Sequence, residues 1–159
     1  MNRIVVYYSL SGNTEEAAKT IAEKLGADIL RVDTVKAMPK NYMAQILVGG
    51  GQVAMKKIPE IKPLEKDMST YDEIILGTPI WNSKGVPAIN AFLKDAEAAK
   101  KVTSVFTLCG GGEIDKCLNA LKLLLPNFKR SVSLLDKKRP GASENKAKID
   151  KFVEEILKG

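Results

Sequence analysis

Ser9-Leu10-Ser11-Gly12-Asn13-Thr14 joins an apolar run, Ile4-Val5-Val6-Tyr7-Tyr8, to a stretch with Ala17, Ala18, Ile21, Ala22 and Leu25 at helical spacing. A strand therefore enters a hydroxyl-rich turn that opens a helix. The first turn of a helix has unpaired N–H groups and the positive end of the dipole, so it attracts anions. Ser9, Ser11 and Thr14 add neutral donors, and Gly12 removes a Cβ where backbone must come close. The stretch reads as a binding loop for a terminal phosphate monoester.

Rival readings of this loop fail on particular residues. A nucleotide P-loop ends in Lys followed by Ser or Thr, and the nearest lysine here is Lys19, a full turn into the helix. No G-x-G-x-x-G follows the strand, and the loop has no thiol for a cysteine phosphatase. An ordinary capping box with Asn13 as cap and Glu16 three residues on is the plain alternative. It accounts for one hydroxyl-type residue, not for three and a glycine within six positions.

Composition narrows the chemistry. The 159 residues suit one domain, taken as residues 1–159, with a substantial core. No apolar stretch is long enough to cross a membrane, and because Met1-Asn2-Arg3 leads straight into a strand, no signal peptide is expected. The two cysteines, Cys109 and Cys117, have neither zinc nor C-x-x-C spacing, so a reducing cytoplasm is the expected location. There is no histidine, which removes the commonest general base and metal ligand. Chemistry is then expected from a bound cofactor, with no catalytic side chain and no metal site assigned. The net charge is +6, but the lysines are scattered and lack interleaved aromatic residues, which argues against nucleic acid.

Reading onward, 27–32 is a short second strand and 34–70 is hard to read. A helix over 41–48 is expected to break at Gly49-Gly50-Gly51, taken as a breaker or flexible loop. Ile74-Ile75-Leu76-Gly77 suits a parallel strand buried on both faces. Pro87 opens a helix burying Ile89, Phe92, Leu93 and Ala96. Residues 102–108 form a fourth strand. A helix then carries Ile114, Cys117, Leu118, Leu121, Leu124 and Leu125 up to Pro126. Residues 131–135 read as a fifth strand at an edge. Ser143 is expected to cap a last helix that buries Ile149, Phe152, Val153, Ile156 and Leu157.

Five strands alternating with helices predict an α/β fold, a doubly wound five-stranded parallel sheet with helices on both faces. In such sheets ligands sit beyond the carboxyl ends of strands, where strand order reverses. Three unusual loops leave carboxyl ends: residues 9–14, 78–85 and 109–113. The order 2-1-3-4-5 would bring all three together.

These motifs together resemble the flavodoxin family. The residues that carry the resemblance are Tyr8-Ser9-Leu10-Ser11-Gly12-Asn13-Thr14, Gly77-Thr78-Pro79-Ile80-Trp81 and Cys109-Gly110-Gly111-Gly112-Glu113. The resemblance implies a flavodoxin-like fold, bound FMN and electron transfer, the flavin cycling between oxidised and reduced states. It implies that Ser9, Leu10, Ser11, Gly12, Asn13 and Thr14 hold the phosphate. Thr78, Pro79, Ile80, Trp81, Asn82 and Ser83 would lie along the ring, with Trp81 as an apolar wall. Cys109, Gly110, Gly111, Gly112 and Glu113 would meet the pyrimidine edge.

Two departures from the family pattern matter. Many members place a tyrosine over the second flavin face, and none occurs between Cys109 and Lys116. Familiar carriers are acidic, whereas this chain is basic. An electron carrier is expected first, with an FMN-dependent NAD(P)H or quinone oxidoreductase as the alternative and a non-redox scaffold third. Expected partners are an acidic redox protein or a small electron acceptor. The positive balance, with Lys84 beside the second loop, predicts a reduction potential less negative than in acidic relatives.

Overall fold

The computed structural model describes residues 1–39, 42–54, 58–81, 85–110 and 114–159. Its strands are β1 (Arg3–Tyr7), β2 (Asp28–Arg31), β3 (Glu73–Pro79), β4 (Val102–Cys109) and β5 (Arg130–Leu135). All pair in parallel, as the alternation of strands and helices implies, and their order is β2-β1-β3-β4-β5. β5 and β2 are the edges. In the centre, β3 is buried from Glu73 through Thr78, which matches its unbroken apolar run.

The helices are α1 (Asn13–Leu25), α2 (Tyr42–Ala54), α3 (Pro87–Phe92), α4 (Ala96–Lys101), α5 (Ile114–Lys122) and α6 (Asn145–Lys158). Strand side chains alternate between two cores. One contains Val5, Tyr7, Ile75, Phe106 and Leu134 under Ala18 and Ile21 of α1 and Phe152 and Ile156 of α6. The other contains Ile4, Val6, Leu76 and Val105 under Ile89 and Phe92 of α3, Ala98 of α4, and Cys117 and Leu121 of α5.

Several local expectations are corrected. The triple glycine does not break α2, which runs on through Gly49, Gly50 and Gly51 to Ala54. Its packing supplies the reason: Gly49 is buried, and a Cβ there would lie 3.2 Å from the Trp81 ring and 3.4 Å from Met38. Close approach of two elements offsets the helix-propensity cost of glycine, about 1 kcal/mol per residue. The segment after Pro87 is two short helices. Asp95 interrupts it by accepting hydrogen bonds from the N–H groups of Glu97 and Ala98, so Ala96 begins α4 and is exposed. α5 ends at Lys122, short of Pro126, and Leu124 is exposed while Leu125 is buried. α6 begins at Asn145 rather than after Ser143, which lies in a preceding 3₁₀ turn, and Leu157 is exposed.

Gly77 has a different steric role. It stands beside Phe106 in the β3–β4 register, and a Cβ on Gly77 would overlap the fully buried Phe106 ring. Gly77→Ala should therefore lower stability by about 1–3 kcal/mol through overpacking. Urea unfolding should show a lower midpoint with an unchanged slope. A midpoint equal to wild type would show that the Phe106 ring moves aside without cost.

Candidate functional site

Tyr7, Gly77 and Phe106 lie in one row across β1, β3 and β4, so the three following loops emerge from the same edge of the sheet. The first loop turns through Gly12, whose φ of 91° is in the left-handed region that glycine enters without a Cβ penalty. Gly12, not Asn13, is the helix cap, and it makes no side-chain cap bond. This corrects the capping-box alternative. Asn13 is the first helical residue, and its amide donates to Asp136 Oδ2 at 2.9 Å and Ser11 Oγ at 3.3 Å. Glu16 is held at its side chain by Lys137, 3.0 Å away.

The turn is built around Ser9, which is buried and accepts the Gly12 N–H at 3.1 Å. The first intrahelical bond runs from Glu16 N–H to Gly12 C=O at 3.0 Å. Among the described residues, the N–H groups of Asn13, Thr14 and Glu15 are thus left without a carbonyl partner. Thr14 is buried, and its hydroxyl makes no hydrogen bond to a described residue. The Ser9 hydroxyl, acting as acceptor toward Gly12, keeps its own proton to donate. Free amides and hydroxyls at a helix start form a donor set for a monoester phosphate. Leu10 has its side chain half-buried against the core shared with Trp81, while Ser11 is exposed.

Two side chains outside the loop hold it in place, and neither carries a motif. Arg31, at the carboxyl end of β2, donates to the Ser9 carbonyl at 2.8 Å and pairs with Glu15 at 3.1 Å and Asp33 at 2.9 Å. Lys19, hydrogen-bonded to Glu15, and Arg31 beside it hold the Glu15 carboxyl below its ordinary range. Asp136 anchors the other side: besides accepting from Asn13, its N–H donates to the Cys109 carbonyl at 3.1 Å. Single positions at a strand end or in a loop give no periodic signal, so only the folded arrangement reveals Arg31 and Asp136.

In the second loop, Thr78 is buried and donates to the Pro79 carbonyl at 2.9 Å. Ile80 N–H donates to the Leu108 carbonyl at 2.9 Å, which ties the loop to β4. Pro79, Ile80 and Trp81 are half-buried. Trp81 meets Tyr8 edge to face, with ring centroids 5.7 Å apart, and also lies close to Gly49 of α2. That glycine, first read as a breaker, is a packing surface for the Trp81 ring. Asn82 and Ser83 lie outside the described residues, as does Lys84.

At the third loop, Cys109 is buried at the end of β4 and Gly110 is exposed; Gly111, Gly112 and Glu113 lie outside the described residues. Burial, with Cys109 nearby, pushes the Cys117 thiol up to about 11, so it is an inert core residue. Two clefts flank the first loop. One, of about 230 Å³, is lined by Tyr8, Ser9, Leu10, Arg31 and Asp33 among others. The other, of about 330 Å³, lies between α1 and α6 and reaches Asn13. No cluster of metal-ligating side chains occurs among the described residues.

The profile of the family described as Flavodoxin matches residues 2–156. The chain belongs to the flavodoxin family. Among solved structures, this flavodoxin-family chain is similar to a flavoprotein in complex with FMN from Lactobacillus acidophilus NCFM. That pair has a TM-score of 0.71 and 20% identity, covering 92% of this chain and 97% of the other. It is also similar to the two-electron reduced flavodoxin of Megasphaera elsdenii, with a TM-score of 0.60, 18% identity and 99% of each chain covered. A curated relative, NAD(P)H dehydrogenase (quinone) of Cupriavidus metallidurans, is 30% identical over 95 residues. That match spans 58% of this chain and 45% of the relative.

Trp81 is the single tryptophan, so its fluorescence reports its packing directly. Gly49→Leu should expel the ring from its contact with α2 and shift the emission to the red. Gly51→Ala, where a Cβ meets nothing within 4 Å, should leave the emission unchanged. Equal spectra for the two variants would contradict the Trp81–Gly49 contact.

Proposed function

We propose that this flavodoxin-family protein is one domain, residues 1–159, that transfers electrons through FMN held by residues 9–14, 78–83 and 109–113. The observation that carries this reading is the first loop: unpaired N–H groups of Asn13, Thr14 and Glu15 beside the Ser9 and Thr14 hydroxyls, with no lysine. A monophosphate is stabilised there by the helix dipole and neutral donors. Bound FMN supplies the redox chemistry. The protein contributes an anchor for the phosphate, an apolar wall at Trp81, and backbone donors at residues 110–112 for the pyrimidine edge.

No helix among the described residues is long and apolar enough to cross a membrane. With a net charge of +6, the docking partner is an acidic redox protein, reached by electrostatic steering. The cytoplasm is the proposed location. A second reading, an FMN-dependent NAD(P)H or quinone reductase, is favoured by the 30% identity with the Cupriavidus metallidurans relative. It is favoured also by the lack of tyrosine between Cys109 and Lys116, which would leave a flavin face open. Steady-state oxidation of NAD(P)H with quinones separates the two readings. Rapid turnover supports the reductase, and its absence with retained flavin supports the carrier.

FMN added to purified protein should bind one to one, with riboflavin at least tenfold weaker because it lacks the phosphate. Thr14→Val should weaken FMN and leave riboflavin unchanged. Equal affinity for the two flavins would defeat the phosphate-loop assignment, and failure to bind FMN would defeat the whole reading. Association with an acidic partner should weaken as salt rises; indifference to ionic strength would remove the charge argument.

A further inference from the structure

The loop after β5 lies between the first and third loops and belongs to neither motif. Asp136 accepts from Asn13 of the first loop at 2.9 Å and donates its N–H to Cys109 of the third at 3.1 Å. Its second carboxylate oxygen accepts the Lys138 N–H at 3.1 Å. Arg139 N–H donates to the Asp136 carbonyl at 2.8 Å, and the Arg139 carbonyl accepts from Ala142 N–H at 3.1 Å. The turn is therefore fastened on both sides of Arg139. The Arg139 Nη2 stands 3.8 Å from where a Cβ of Gly110 would lie, and among the described residues beyond its chain neighbours no other atom comes within 4 Å of that position.

Arg31 pairs with Glu15 and Asp33, and Lys137 pairs with Glu16. Arg139 has no carboxylate partner among the described residues. Its guanidinium stays charged at any working pH. Asp136, the carboxylate nearest in the chain, is already engaged by Asn13 and the Lys138 N–H.

We propose that Arg139 is a charge-positioning residue that makes this site favour reduced over oxidised FMN. The inference rests on the FMN reading above, in which the backbone at residues 110–112 meets the pyrimidine edge. Reduction adds negative charge at that edge, whereas the oxidised ring is neutral. A guanidinium seated against Gly110 therefore attracts the reduced form selectively. This places the source of the less negative potential at a single side chain, rather than in the overall charge or in Lys84.

The test uses the full-length protein and three variants: Arg139→Gln, Arg139→Lys and the neighbouring control Lys138→Gln. Affinity for oxidised FMN and for riboflavin would be measured by fluorescence quenching, and the two-electron midpoint potential by titration against a reference dye. Arg139→Gln should hold oxidised FMN within threefold of wild type but bind reduced FMN at least tenfold less well. That is a drop of about 30 mV for a two-electron couple. Arg139→Lys should recover most of the shift, and Lys138→Gln, with the same change in net charge, should move it much less.

Equal shifts in Arg139→Gln and Lys138→Gln would reduce the effect to net charge and overturn the assignment. So would an unmoved potential with FMN still bound. Loss of affinity for oxidised FMN but not for riboflavin would make Arg139 a phosphate ligand and overturn it likewise. Failure of the wild-type protein to take up FMN overturns the FMN reading itself, and is told apart by the unchanged visible spectrum.

Discussion

The handedness of parallel crossovers is the constraint on which the molecule depends. A strand, helix and parallel strand close only in the right-handed sense, so the side on which the next strand joins decides the face that its helix covers. From β1 the chain moves outward to β2, then returns across β1 to add β3, β4 and β5. α1 consequently covers one core, while α3, α4 and α5 cover the other. Between β1 and β3 the connections diverge, and the carboxyl edge opens there. The first two loops sit on either side of that opening because the register aligns Tyr7 with Gly77.

Within this frame the site is assembled by contacts that cross between loops. Ser9 shapes the turn from within, but Arg31 holds it from β2 and Asp136 holds it from the loop after β5. Trp81 is braced by Tyr8 at the end of β1 and by Gly49 of α2. Each brace comes from a different element, so the geometry of the site is a property of the completed sheet. A loop fastened in this way can present free N–H groups without collapsing onto them, which is the preorganisation that anion binding needs.

Much of this was legible beforehand. The apolar runs at 4–8, 74–77 and 102–108 predict strands, that at 74–77 buried on both faces, and all three are central. The hydroxyls and glycine of 9–14 announced a helix start with spare donors. Other elements depart from what local patterns predict, for identifiable reasons. α2 was broken at Gly49 because propensity is local, whereas the gain from seating Gly49 on Trp81 is tertiary. The helix after Pro87 was drawn as one because its apolar spacing continues, although the Asp95 side chain restarts the chain by capping α4. The alternative of Asn13 as helix cap fails because Gly12 takes that position through its positive φ.

The sequence by itself determined the parallel sheet, the three loops at the carboxyl ends of its strands and the wealth of neutral donors in the first of them. These follow from hydrophobic period and from residue types whose physical roles are local: hydroxyls donate, glycine turns, and β-branched runs are buried. Only the tertiary structure decided that Arg31, Asp136, Gly49 and Arg139 belong to the same region as those loops. They lie on three separate segments, Arg31 at the end of β2, Gly49 in α2 and Asp136 with Arg139 after β5, and carry no pattern, because contacts between residues far apart in the chain depend on strand order and register. Arg139 reaches Gly110 because β4 and β5 are neighbours in the sheet.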